Sequence, residues 1–234
     1  MFELNIQKNW IDALYARSSV RQYTSAPDKA QLDKLGETCR KLSWQGVKIR
    51  MFKGPGLKGT DVYAVIIAKR GTPMEVEGFM GEALVLEATA MGLGTCWLGA
   101  GFYPDIINRN VDLQTDEAVH CVISIGKANL PAFAPKRKAL EKVCGMNEEQ
   151  LAQLGAWQKE AVLAARLAPS AINQQPWKIA ADKTSVSILE TTVLYKKYAP
   201  LDRGICMLHA AVGAAKAGRT GLWKKVDGGY AMKA

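Results

Sequence analysis

Apolar residues recur at helical spacing twice near the start of the chain. They do so around Trp10, Ile11, Leu14 and Tyr15, and again after Pro27-Asp28 at Leu32, Leu35, Cys39 and Leu42. Positions three or four apart share one helix face, so both runs predict amphipathic helices. "VKIRMF" and "DVYAVIIAK" read as strands separated by the turn-rich "KGPGLKGT", because β-rich runs bounded by Gly and Pro are strand signals. A third helix is expected from Val76 to Met91, stopped by Gly92, and "AVHCVISIG" is a further strand. "KANLPAFAPKRKALEKVCGM", with two prolines and a basic cluster, reads as a loop.

After that loop the pattern starts again. Asn147 with Gln150 three residues on forms a plausible capped helix start, Leu151, Leu154 and Trp157 extend an apolar stripe, and Pro169 is the stop. "WKIAA" and "TSVSILE" read as strands, followed by a small-residue helix from Asp202 to Ala217. "GFMGEALVLEATAMGLGTCW" (residues 78–97) and "GICMLHAAVGAAKAGRTGLW" (residues 204–223) align over equal length, sharing a first Gly, an internal Ala, a helix-ending Gly and a final Trp. With helix, strand, strand and small-residue helix in both halves, a degenerate internal duplication is expected. Two unrelated Ala/Gly helices are the alternative.

At 234 residues the chain suits one sizeable domain or two small halves sharing a core. Its 48% hydrophobic and 23% charged residues argue against disorder. The net charge of +9 suggests an anionic partner. The basic residues are dispersed, however, and no helix-turn-helix, RNP or zinc-finger spacing is visible, so nucleic acid is not the expected partner. Five widely spaced cysteines without a CxxC pair read as reduced, buried thiols. Two histidines and no HExxH or DxDxDG pattern exclude an expected metal site. "MFELNIQKNW" lacks a signal-peptide pattern, so a cytoplasmic location is expected. Residues 83–102, the longest apolar stretch, are broken by Glu87 and glycines, which fits a buried helix better than a membrane span.

Four stretches look unlike scaffolding. "ARSSVRQY" places Arg17, Ser19 and Arg21 where an extended chain would project two guanidinium groups and a hydroxyl to one side, a set that suits a phosphate. A solvated loop is the plainer reading. "ARLAPSAINQQPWKI" offers Ser170 and Asn173 beside the low Ala171, with Pro176-Trp177 fixing the exit into a strand. Such a surface could lie against a planar ring, or simply cap a helix. "GLGTCWLGAGF" allows close approach of a ligand to peptide N–H groups around Gly99 and Ala100, but is not a GxGxxG after a strand. "PKRK" contributes Lys136, Arg137 and Lys138, an anion site or a charged solvent loop.

Together these stretches resemble the FMN-dependent nitroreductase family. "RSSVRQY" is similar to its Arg-Arg-Ser-x-Arg segment and "ARLAPSAINQQPW" to its Ala-Pro-Ser-x-Asn-x-Gln-Pro-Trp motif. "GLGTCWLG" resembles its glycine-rich segment and "PKRKALEKV" its basic phosphate motif. The order departs from the family, in which the Ser/Asn motif comes early. Here that early position reads "CRKLSWQGVKI", and the intact motif lies in the second half. The resemblance is therefore to single-chain members built from two half-repeats.

That resemblance implies an α+β nitroreductase-like fold forming an internal pseudo-dimer, with residues 1–146 as the first half and 147–234 as the second, sharing one core. It implies FMN as cofactor, NAD(P)H as electron donor and a small oxidised acceptor such as a nitroaromatic or quinone, in a monomer rather than a homodimer. Arg17, Ser19 and Arg21 would bind the phosphate, ribityl chain and pyrimidine edge. Arg137, with Lys136 or Lys138, would neutralise the phosphate. Ser170 and Asn173 would reach the ribityl chain or dimethylbenzene side from the second half, and a peptide N–H near Gly99 or Ala100 would face N5. No side chain need act as nucleophile, because the flavin carries the redox chemistry. An FMN-storing or FMN-sensing protein is the alternative.

Overall fold

The computed structural model describes residues 4–44, 46–57, 59–129 and 136–233. The chain divides into two compact units, Ala16–Pro135 and Met1–Tyr15 with Lys136–Ala234. The boundary expected at 146/147 differs from this division: the first helix and the "PKRK" segment belong with the second half of the sequence.

The chain opens with α1 (Asn9–Ala16), which belongs with the second unit; the first unit holds α2 (Lys29–Leu42), β1 (Val47–Lys53), β2 (Val62–Lys69), α3 (Met74–Ala90), β3 (Gly94–Leu98), α4 (Pro104–Asn110) and β4 (Glu117–Gly126). Asp28 and Gln31 cap α2 reciprocally: Asp28 accepts the Gln31 N–H, and Gln31 accepts the Asp28 N–H. The sheet is antiparallel throughout, in the order β1-β2-β4-β3. β2 is the apolar run read from the sequence, buried from Val62 to Ala68 because both of its faces are covered. Tyr63, Val65 and Ile67 pack with Ile107, Val111 and Val122 on one face. α3 is buried along almost its whole length, Glu75 to Ala88.

The second unit holds α5 (Leu140–Cys144), α6 (Glu148–Ala152), α7 (Ala156–Arg166), β5 (Trp177–Ala181), β6 (Ser185–Glu190), α8 (Ala199–Lys216), β7 (Leu222–Val226) and β8 (Gly229–Lys233). Its sheet, in the order β5-β6-β8-β7, repeats the topology of the first. The central helices even end alike. Gly92 and Gly218 both sit at φ 74°. Leu93 N–H returns to Ala88 O, and Arg219 N–H to Ala214 O, each at 3.0 Å. These are Schellman caps, which need a left-handed residue just past the helix end. The shared terminator supports the internal duplication more firmly than residue identity does.

Several expectations are corrected. The "KANLPAFAPKRKALEKVCGM" loop contains α5, while its residues 130–135 lie outside the described set. The helix expected from Asn147 to Pro169 is two helices, because the chain turns at Gly155; its capped start is as read, with Asn147 accepting the Gln150 N–H. β3, α4 and the hairpin β7–β8 were not anticipated. The hairpin had a signal in Asp227-Gly228, a dipeptide suited to a two-residue turn, where Gly228 takes φ 67°. All five cysteines are free and buried. Among the described residues no helix is long and apolar enough to cross a membrane.

α7 and α8 meet closely at Gly213, where an added Cβ would stand 2.4 Å from Glu160 O and 2.6 Å from Ala164 Cβ. The nearest obstacle is backbone and cannot swing aside. Gly92, by contrast, has open space around it and resists substitution only through its positive φ. Gly213→Ala is therefore expected to destabilise by about 2–3 kcal/mol and Gly92→Ala by about 1 kcal/mol. Denaturant unfolding of both variants checks the ranking.

Candidate functional site

In the first unit the segment after α1 runs extended along the edge of β3. Val20 N–H donates to Thr95 O at 2.8 Å, and Ser19 pairs in parallel with Thr95. Further on, Thr24 N–H donates to Lys127 O and Lys127 N–H to Ser25 O, both at 2.8 Å. The approach is close because two glycines leave room for it. A Cβ on Gly94 would lie 2.9 Å from the Val20 side chain, and one on Gly126 would lie 2.6 Å from the Tyr23 ring. Tyr23 is fixed in turn by its hydroxyl, which lies 2.7 Å from both Val20 O and Ser124 Oγ; burial pushes its pKa up to about 12.

This strand lines a cleft of about 530 Å³ formed by Ser19, Val20, Arg21, Gln22, Tyr23, Thr24 and Asn129. Ser19 and Arg21 thus line one depression. Arg17 behaves differently. It is buried at 8% exposure, donates weakly to Ser19 Oγ at 3.4 Å, and its Nε lies 3.8 Å from Glu82 Oε1. Of the two arginines, only Arg21 is exposed. Burial lowers the Arg17 pKa and the Glu82 charge raises it in opposition.

Glu82 was not anticipated by the sequence reading. It is fully buried in α3 and accepts the Trp97 indole N–H at 2.7 Å. The Trp97 ring reaches it over Gly81, where a Cβ would sit 2.3 Å from the ring. Glu82 and Gly81 were visible only as residues of an apolar helix. A charged residue at such a position is the signal that could have been followed, since buried carboxylates need partners. Gly99 and Ala100 lie at the bend after β3, Gly99 half-buried and Ala100 exposed.

The second unit gathers the remaining predicted residues. Residues 170–175 form a turn in which Ile172, Asn173 and Gln175 take φ of 49°, 56° and 49°. Among the described residues these are the only non-glycine positions with positive φ. Each such position costs about 1–3 kcal/mol and persists only where its surroundings enforce it; for a β-branched residue such as Ile172 the conformation is an outlier. Here the surroundings do enforce it. Gln175 N–H donates to Ser170 Oγ at 2.8 Å, and Ala171 N–H donates to both Asp202 oxygens at 3.1 Å. Gln174 exchanges hydrogen bonds with the Tyr195 backbone at 2.9 and 3.1 Å.

The basic cluster clamps the same turn. Arg137 donates to Leu167 O through Nε and NH2 at 3.2 and 3.0 Å, and to Asn173 Oδ1 at 3.0 Å. Asn173 Nδ2 donates to Lys136 O at 2.8 Å. Lys138 N–H donates to Gln175 Oε1 at 2.9 Å, and its Nζ to Gln174 O at 2.6 Å. Lys136, Arg137 and Lys138 were assigned to the first half as phosphate neutralisers. They instead gather with Ser170 and Asn173 in one unit, and Arg137 directs donors to Leu167 and Asn173. The exposed, strained Ile172 stands at the crest of this turn.

Asp202 is 3% exposed, and burial pushes its pKa from 3.8 up to about 7, against the pull of the Ala171 N–H and the Arg203 charge. Between these two values the folded state keeps a proton that the unfolded chain has released, so the contribution of this group to stability falls as pH rises through the window and levels off above it. Asp202→Asn keeps an acceptor for Ala171 N–H and removes the titration. Its melting temperature relative to the parent is expected to rise from pH 4 to pH 7 and then stay constant, as thermal scans across that range will show. An offset independent of pH would contradict the assignment.

The comparisons with known proteins agree with this architecture. A family model described as "Putative TM nitroreductase" matches residues 9–214. A solved structure described as a "putative nitroreductase" from Thermotoga maritima MSB8 is 25% identical, covers 100% of this chain and 97% of its own, and has a TM-score of 0.73. A "Putative NADH dehydrogenase/NAD(P)H nitroreductase" from Parabacteroides distasonis ATCC 8503 is 17% identical, covering 58% of this chain and 97% of its own with a TM-score of 0.48. An "FMN-dependent Nitroreductase" from Clostridium difficile R20291 is 22% identical, covering 54% and 91% with a TM-score of 0.44. No curated protein matches the chain. With the model spanning nearly the whole sequence and two sheet-and-helix halves of one topology, this chain belongs to the nitroreductase family of that description.

Proposed function

We propose that this oxidoreductase binds FMN and transfers hydride from NAD(P)H to a small oxidised acceptor, such as a nitroaromatic or a quinone. The reading is carried by the first-unit cleft, in which Ser19 and the exposed Arg21 stand in front of a buried arginine. Arg17 Nε and Ser18 Oγ are buried and have no hydrogen-bond partner. Buried donors without acceptors are costly, and Arg17, which reaches Ser19 Oγ at 3.4 Å, is the one that adjoins the cleft lining.

FMN, when bound, supplies the two-electron chemistry, so the chain needs no nucleophile. Its own residues have four tasks. Arg21 and Ser19 hold an anion by charge-assisted hydrogen bonds. Arg17, held beside Glu82, adds a guanidinium behind Ser19. The exposed Ala100, in the bend after β3, would offer a peptide donor. The turn at residues 170–175 holds Ser170 and Asn173 in one arrangement, with Ile172 exposed at its crest. It is suited to lie against a flat ring, although both side chains also serve the turn itself. The reading further takes the protein as a cytoplasmic monomer with one such site.

The expected outcome is a yellow protein whose flavin is bleached anaerobically by NADH or NADPH. Retention of FMN without bleaching would support a storage or sensing role instead. Arg21→Ala should weaken FMN binding about tenfold or more, the worth of one charge-assisted contact, with the melting temperature unchanged. Arg17→Ala should lower both flavin retention and stability, because it strips a partner from the buried Glu82. Full flavin content in both variants would place the phosphate elsewhere.

A further inference from the structure

The first unit contains a second cleft, on the far edge of its sheet from the Ser19–Arg21 strand. It measures about 600 Å³ and is lined by α2, β1 and the turn between them. β1 is an edge strand, and its outward N–H groups are covered only at the start: Val47 N–H donates to Trp44 O at 2.9 Å and Ile49 N–H to Ser43 Oγ at 3.0 Å. Antiparallel alternation directs the next such N–H, on Met51, the same way, into the cleft.

Four cations line this cleft: Arg40, Lys48, Arg50 and Lys69. Lys48 is answered by Glu117 and Lys69 by Asp116. Among the described residues no carboxylate lies within ion-pair distance of Arg40 or Arg50. The C-terminal end of α2 carries an opposing partial charge of only about half a unit, and Ser43 Oγ donates to one of its last carbonyls, Cys39 O, at 2.8 Å. The cleft therefore stays positive. Beside the cations stands Trp44, a large aromatic left 41% exposed, the residue type that stacks on planar rings.

We propose that this cleft binds an aromatic phosphate of nucleotide size, the phosphate on Arg40 and Arg50 and the ring against Trp44. Guanidinium groups match phosphate oxygens in pairs, the Met51 N–H adds a backbone donor, and the volume accommodates a nucleoside monophosphate. The site shares no lining residue with the Ser19–Arg21 cleft, so it stands whether or not that cleft holds FMN.

Calorimetric titration of the full chain with AMP, adenosine and inorganic phosphate tests it. AMP should bind, and each of its two parts should bind more weakly. The Arg40→Ala/Arg50→Ala pair, both at exposed positions, should weaken AMP about tenfold or more. Trp44→Ala should weaken AMP about fivefold or more while leaving inorganic phosphate unchanged. Arg21→Ala should leave AMP binding as it was. Absence of AMP binding, unchanged affinity in the double variant, or loss of affinity in Arg21→Ala instead would each overturn the assignment. Circular dichroism melts establish that every variant is folded.

Discussion

A single buried carboxylate organises the first unit. Glu82 sits inside a helix with no exposure, where an unpartnered charge would be unsustainable. It is tolerated because Trp97 donates to it from β3 and Arg17 stands 3.8 Å away at the end of the first helix. One side chain thereby fixes the start of the Arg17–Arg21 strand and the tryptophan that closes the first copy of the repeat. Gly81, Gly94 and Gly126 are the spatial counterpart, each keeping a ring or a strand within reach by the absence of a Cβ.

The second unit reaches order by a different route. Its candidate surface is a backbone held in left-handed conformations that side chains avoid, and the restraint comes from hydrogen bonds on every side of the turn. The basic residues of "PKRK" act there as struts. The two units thus share a sheet topology and a helix cap, yet differ in the segments before β5 and β1. The segment before β5 became a strained, polar turn. Its counterpart before β1 became a cationic cleft with an exposed tryptophan.

Periodicity and punctuation made most of the framework legible. The β2 run, the Asn147 cap and the repeated helix with its closing glycine all stand where the sequence placed them. What escaped was short or depended on tertiary partners. β3 is hidden in a glycine-rich stretch that reads as a loop, and β7 carries two exposed lysines, Lys224 and Lys225, that blur its alternation. The ion pair of Arg17 with Glu82 and the clamp of Arg137 on Asn173 join residues distant in sequence, which no local pattern encodes. Pro169 was read as the helix stop, whereas the helix ends at Arg166 and the chain then folds over Asp202.

The proposal that matters most is that one chain binds one flavin. Measuring bound FMN per polypeptide after saturation and gel filtration addresses it directly. A ratio near one flavin per chain, in a species of monomeric mass, is the result this account predicts. A ratio near two would mean that both units carry equivalent sites, and a chain that cannot be loaded at all would mean that neither does; either result contradicts it.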